Sequence, residues 1–227
     1  NQSISNYPDS ITKKLVTTLH HPIHVDRDID LENESSFLNK LSIKRWYSFL
    51  NFQKKNLKKV KRVISPSKSS KKDICRYFDY PEDQISVIWN GIDLDDCKFH
   101  QRTAFNSEFV TIISSDVPMK NLKNILKALY LLKNDGLNAR LTVIGDLREV
   151  NKKLIEDLGL GELVSFKPKL PRNELIEILN ASDIGIAASS YEGFGFPLVE
   201  MIATGLPVIV SDKASLPELA GDAGLIF

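Results

Sequence analysis

The sequence predicts an α/β protein of two units, each a parallel sheet covered by helices. Three observations carry this expectation. From residue 109 onward, short β-prone runs alternate with helix-length amphipathic stretches, the order that gives βαβ units and not hairpins. A polar stretch over residues 95–107 separates that series from an earlier, shorter one and reads as a linker. A chain of 227 residues with 42% hydrophobic content can bury real cores, whether as one large domain or two small ones.

In chain order, residues 14–19 form a short β-prone run that ends at His20-His21-Pro22. These histidines therefore sit where a strand gives way to a loop, the place where parallel α/β sheets put their chemistry. An acidic stretch follows over residues 26–34, and a helical pattern runs from about 41 to 59 with Ile43, Trp46, Phe49, Leu50 and Leu57 on one side. Residues 63–65 read as a buried strand, Ser67 as the cap of a helix over 70–77, and 85–89 as a strand closed by the turn Asn90-Gly91-Ile92-Asp93. In the second series the strands are expected at 109–113, 141–144, 164–166, 184–188 and 207–210. The helices are expected at 122–133, 151–158, 172–180 and 198–204.

No apolar run reaches the roughly 18 residues that span a bilayer, and residues 1–6 are polar without a signal-peptide pattern, so a cytoplasmic protein is expected. Cys75 and Cys97 lack metal-ligand spacing and are read as reduced. The lack of an initiator Met and the strand-like run at 224–227 suggest a fragment. The net charge of +1 hides an asymmetry: from Lys40 to Arg76 thirteen Lys or Arg face one acid, Asp73, giving +12 against −11 for the remainder. Lys54, Lys55, Lys58, Lys59 and Arg62 have i, i+4 spacing and are expected on one side of a helix. That side suits plain solvation, or peripheral contact with anionic lipid on the inner membrane face or a phosphorylated acceptor. Nucleic acid is not expected, since no aromatic residues are interleaved in the single-strand manner.

The segment with the most chemistry in it runs from Ser189 to Glu200 and joins a buried strand to a helix. Gly193 and Gly195 let the backbone approach a ligand, and Pro197 suits the first helical turn, where its missing N–H costs nothing. Free amides at that helix start favour a phosphate. Taken alone, a Gly-rich turn is often only a turn, and an acid near a helix start is stabilising without any ligand.

Glu192 and Glu200, eight positions apart after Ala187-Ala188-Ser189 and followed by the run Met201 to Ile209, closely resemble the donor-site signature of glycosyltransferase family 4, whose members are retaining enzymes of the GT-B fold. The likeness extends through Ala181-Ser182-Asp183, Gly145-Asp146, Val87 to Asp93, Ile64 to Ser67 and Thr18 to Ile23, and so covers nearly the whole chain. It implies two Rossmann-like domains with parallel sheets, the first only partly present. Residues 1–105 would be the latter part of the N-terminal, acceptor-side domain plus a linker. Residues 106–227 would be the nucleotide-sugar domain, truncated at its end, with the nucleotide in the cleft between the two.

By the same resemblance Glu200 grips the ribose hydroxyls and Glu192 lies against the donor sugar, tasks that suit a carboxylate because it accepts two hydrogen bonds at once. The turn of Gly195, Phe196, Pro197 and Leu198 would meet sugar and diphosphate through its amides. Lys120 matches the lysine that stabilises the leaving nucleotide, and His20 matches a histidine of the reaction centre, with His21 second to it. His24 and His100 are given no role. Two donor-site positions depart from the family: Ser115, where an Arg is common five residues before the lysine, and Lys167-Pro168, where a Gly is usual near the base.

The implied reaction moves a hexosyl-type sugar from a nucleotide diphosphate to an acceptor hydroxyl of a glycan or glycolipid, with retained configuration and no required metal or cofactor. Two alternatives stand beside it. A GT-B sugar-nucleotide epimerase would bind the same donor but needs acid and base carboxylates not identifiable here. A non-catalytic relative that binds a nucleotide or a partner is kept open by Ser115.

Overall fold

In the first of two units, which ends at Asn90, three short strands make a parallel sheet. They are β1 (Val16–Thr18), β2 (Arg62–Ser65) and β3 (Ile85–Val87), in spatial order β1-β2-β3, with Val16 opposite Arg62 and Val63 opposite Ile85. The helices are α1 (Asp9–Thr12), α2 (Ile23–Asn33), α3 (Phe37–Trp46), α4 (Leu50–Leu57) and α5 (Lys68–Phe78). This computed structural model describes residues 8–12, 14–97, 99, 101–115 and 117–227. α5 begins as its sequence predicts: the Ser67 hydroxyl accepts from the Ser70 amide at 3.0 Å, and the chain leaves the helix at Asp79 in the left-handed region, φ 51°. Ile74 and Phe78, one turn apart, then meet Val63 and Ile85 in the core.

The acidic stretch forms α2, which buries His24 and Val25 in its first turn, while half-buried Asp28 accepts from the Tyr77 hydroxyl at 2.8 Å. The single helix over 41–59 is instead α3, a 3₁₀ turn (Tyr47–Phe49) and α4. The tighter turn rotates one helix against the next, so Leu50 and Leu57 are buried but Trp46 is 75% exposed. The five cations consequently share no helical face. α4 stops at Leu57 because buried Val60, whose carbonyl accepts from the Tyr80 hydroxyl at 2.6 Å, draws the chain inward. Lys58 pairs with Asp79 at 2.8 Å, and Arg62 opens β2 with its guanidinium donating to the Asp83 carbonyl at 2.8 Å.

His24 packs between Tyr77, with ring centroids 5.2 Å apart, and Phe78, at 4.8 Å. Burial, reinforced by the nearby Arg27, lowers its pKa from 6.5 to about 4, so the ring is neutral in the folded protein at neutral pH. Between these two values the unfolded chain binds the proton and the folded one does not. The stability His24 contributes is therefore complete above pH 6.5 and is lost as pH falls through about 4, an effect of roughly 3 kcal/mol. A His24→Phe variant is expected to lose less stability than the parent between pH 7 and pH 4.5 in urea unfolding; an equal loss would remove His24 as the cause.

The second unit, from Gly91 onward, holds six strands: β4 (Glu108–Ser115), β5 (Arg140–Asp146), β6 (Val164–Lys167), β7 (Ile184–Ala187), β8 (Val208–Val210) and β9 (Gly224–Ile226). All pair in parallel in the order β6-β5-β4-β7-β8-β9. Helices α6 (Leu122–Asn134), α7 (Glu149–Asp157), α8 (Arg172–Ala181), α9 (Phe196–Ala203) and α10 (Leu216–Ala220) connect them. Along β4 the side chains alternate between two cores: Phe109 and Ile113 pack with Ile125, Leu126 and Leu141, whereas Val110 and Ile112 pack with Leu198, Met201 and Val208. A fully buried leucine such as Leu126 contributes about 2 kcal/mol.

The stretch read as a linker joins this unit. Arg102 donates to the carbonyls of Leu179 at 2.8 Å, Ser182 at 2.7 Å and Thr204 at 3.3 Å, satisfying groups at the C-terminal ends of α8 and α9. Buried Asp183 accepts from the amides of Asn106 at 2.8 Å and Glu108 at 2.9 Å. The division of the chain therefore falls at Asn90/Gly91, ahead of that stretch. Among the described residues no helix is long and apolar enough to cross a membrane.

Candidate active site

The strand order of the second unit reverses between β4 and β7: β4 leads outward to β5 and β6, and the chain then crosses back to β7. Loops leaving neighbouring strands diverge at such a point and leave a crevice beyond their C-terminal ends. The loop after β4 carries a 3₁₀ turn (Pro118–Lys120), and the loop after β7 carries Ser189 to Gly195. Lys120 Nζ lies 2.6 Å from Glu192 Oε1, with the two side chains only 13% and 20% exposed. The Ser189 hydroxyl donates to the same oxygen at 2.9 Å.

Backbone and side-chain bonds hold these loops together. The Ser190 amide donates to the Met119 carbonyl at 2.8 Å, and Asn121, at φ 58°, donates from its side chain to the Ala188 carbonyl at 3.1 Å. From behind, fully buried Ser215 donates to the carbonyls of Glu192, at 2.9 Å, and Phe194, and Ser211 donates to the Ser189 carbonyl at 2.6 Å. Gly195, at φ 113°, turns the chain into α9 against Leu216, which an added Cβ would meet at 3.2 Å. Lys120, Ser189, Glu192 and Pro197 line a small cavity here. A larger one of about 250 Å³, lined by Phe109, Ala128, Leu132, Ile209 and Phe227 with Asn124 as its one polar residue, is mostly apolar.

Glu200, one turn further along α9, pairs through Oε1 with Arg172 Nη1 at the start of α8. Arg172 Nη2 also donates to Cys97 Sγ at 2.8 Å, and Nε lies 3.7 Å from Asp96. Burial raises the Cys97 pKa, so its sulfur accepts as a thiol. Each of the two glutamates thus has its own cation.

Residues 96–226 match the family model described as Glycosyl transferases group 1, and residues 10–96 match Glycosyltransferase Family 4. The chain belongs to the group 1 glycosyl transferases. It is 30% identical over 212 residues to the MMP alpha-(1->4)-mannosyltransferase of Mycolicibacterium hassiacum, covering 92% of this chain and 51% of that relative. It is also 30% identical over 217 residues to the O-antigen chain mannosyltransferase RfbU of Salmonella typhimurium, covering 94% of this chain and 60% of that one. The chain thus spans half to three fifths of the length of these relatives. Among solved structures, that of Anabaena HepE in complex with UDP-glucose matches with a TM-score of 0.70 at 20% identity, over 94% of this chain and 58% of that one. The fold of the chain is the GT-B class expected from its sequence.

Within this chain, Lys120 and Glu192 come into contact as a pair, and Glu200 shares no hydrogen bond with either of them among the described residues. Leu198 is turned inward: its side chain is in the core and its amide donates to the Gly195 carbonyl at 3.0 Å. The first turn of α9 thus closes on its own cap. The Phe196 amide carries no hydrogen bond among the described residues and is the donor left at the helix start. Lys167 and Pro168 are exposed at the end of β6, outside both glutamate networks. The side chain of Ser115, as well as His100, lies outside the described residues.

His20 is exposed just beyond β1, with its carbonyl accepting from Ser70 Oγ at 3.1 Å. Its neighbour His21 is engaged with Asp26, Nε2 to Oδ2 at 3.1 Å. Sequence reasoning missed Arg172, Asn121 and Ser215, and quoted Ser189 only as part of the motif, three residues before its partner Glu192. Asn121 had a signal, a residue tolerant of the left-handed region directly before a helix; Arg172 and Ser215 had none, since their partners are distant in the chain.

Proposed function

We propose that this chain is the donor-binding and catalytic part of a retaining glycosyltransferase that moves a hexosyl group from a nucleotide-diphosphate sugar to an acceptor hydroxyl. The observation that carries the reading is the pair of carboxylates on either side of the α9 start, each held by a cation: Glu192 by Lys120 and Glu200 by Arg172. Between them the Phe196 amide and the helix dipole suit a phosphate. Glu200 would accept the ribose hydroxyls and Glu192 those of the sugar, two hydrogen bonds per carboxylate. The mannosyl transfer in the names of two relatives, and the UDP-glucose of the HepE complex, support this substrate class.

In the reaction the bond from the anomeric carbon to the diphosphate oxygen breaks and that to the acceptor oxygen forms on the same face. The acceptor proton passes to the departing diphosphate. Lys120 would neutralise charge as it develops on that diphosphate, a cation near the leaving group being more valuable in the transition state than in the ground state. His20, at the end of β1, is assigned to turnover and not to binding.

Calorimetry and labelled-donor assays on the full-length protein test this reading. Glu200→Ala is expected to weaken donor binding by about tenfold or more, and His20→Ala to keep the affinity while losing turnover. Equal donor affinity in the parent and Glu200→Ala would sink the assignment. An epimerised donor, or tight binding with no transfer or hydrolysis, would replace it with the epimerase or the non-catalytic reading.

A further inference from the structure

Arg172 stands at the first position of α8, and each nitrogen of its fork faces a different partner. Nη1 donates to Glu200 Oε1, Nη2 to Cys97 Sγ at 2.8 Å, and Nε lies 3.7 Å from Asp96 Oδ2. Cys97 is 3% exposed and the Glu200 side chain 18%, so two of the three partners sit in packed surroundings. Glu200 Oε2, in contrast, has no hydrogen bond among the described residues.

An ordinary surface ion pair between two mobile side chains contributes little and orients nothing. This one differs because the guanidinium is planar and already tied through buried Cys97 to the stretch that precedes β4, so its direction is set before it meets the carboxylate. We infer that Arg172 is a positioning residue for donor recognition: it clamps Glu200 by one oxygen and leaves the other for the vicinal hydroxyls of the donor's pentose. This rests on the assignment of Glu200 to the ribose. Lysine, a point charge with no fork, could pair with Glu200 but could not hold Cys97 and Asp96 at the same time. The role is one of orientation, so it is read in discrimination between pentoses and not in fold stability.

The test is a calorimetric titration of the full-length protein with UDP, GDP and ADP, followed by the 2′-deoxy form of whichever binds most tightly. The parent is expected to prefer the ribose form by about tenfold or more, the worth of a hydrogen bond to a charged group. Arg172→Ala is expected to bring the two forms within about twofold of each other, Arg172→Lys to keep part of the preference, and Cys97→Ser to keep most of it, since a hydroxyl also accepts from Nη2. Unfolding midpoints are recorded alongside, since the alanine variant leaves the Glu200 carboxylate without its cation, and Arg172→Gln replaces it if it does not fold. Full pentose preference in the Arg172 variants would overturn the positioning role while leaving Glu200 at the ribose. No pentose preference in the parent, or no binding of any of the three nucleotides, would overturn the ribose assignment and the positioning role together.

Discussion

Replacing Lys120 with alanine is expected to lower sugar transfer by about a hundred- to a thousandfold, the range seen when one preorganised charge-stabilising group is removed from an active site. The reasoning starts from the 2.6 Å contact with Glu192 in surroundings that leave Lys120 only 13% exposed. There is little water to screen the cation, and the Asn121 and Ser190 bonds fix the loop that carries it. The same substitution leaves the Glu192 carboxylate without its cation, which should cost about 1 to 3 kcal/mol of stability. These two consequences separate in the double variant Lys120→Ala/Glu192→Gln, which is expected to recover most of the stability and none of the activity. Single-turnover rates with a labelled sugar nucleotide and urea unfolding of the same samples provide both readings. A Lys120→Ala enzyme retaining a third or more of the parent rate would exclude the lysine from catalysis.

Gly145→Ala is expected to destabilise the second unit by about 4 kcal/mol or more, enough to prevent folding. Gly145 has φ +133°, and a Cβ built there would lie 1.5 Å from the Ile113 carbonyl oxygen and 2.7 Å from its carbon. Both atoms belong to the backbone of β4, so no side-chain rotation relieves the overlap and the central strands must part. The effect would reach the site, because β4 delivers the loop bearing Lys120. Gly161→Ala is the control: an added Cβ there meets nothing within 4 Å, and a change within about 0.5 kcal/mol is expected. Comparable soluble yields and urea midpoints for the two variants would contradict the role given to Gly145.

The pattern of β-prone runs alternating with helical ones over 109–210 was legible because each element is local: period 2 in β4, and buried Leu122, Ile125, Leu126 and Leu129 at helical spacing in α6. Glu192, Glu200 and Lys120 were picked out through resemblance to a family whose long motif surrounds the two glutamates. The first unit was harder. Its helices are short and their apolar spacing is interrupted by a 3₁₀ turn, so periodicity ran two elements together and placed Lys58 and Arg62 on a helix that had already ended.

The parallel α/β class of this protein is written in neighbouring residues and needs only local rules to read, and its two glutamates stand out through resemblance to a family motif. Which cation serves which glutamate is a different kind of information. Arg172 precedes Glu200 by 28 positions, Lys120 precedes Glu192 by 72, and Ser215 reaches back to the Glu192 carbonyl across 23. Such pairings arise only when the sheet and its helices bring these segments side by side, as the adjacent ends of β4 and β7 do for Lys120 and Glu192, because electrostatic and hydrogen-bond partners are chosen by distance in space and not along the chain.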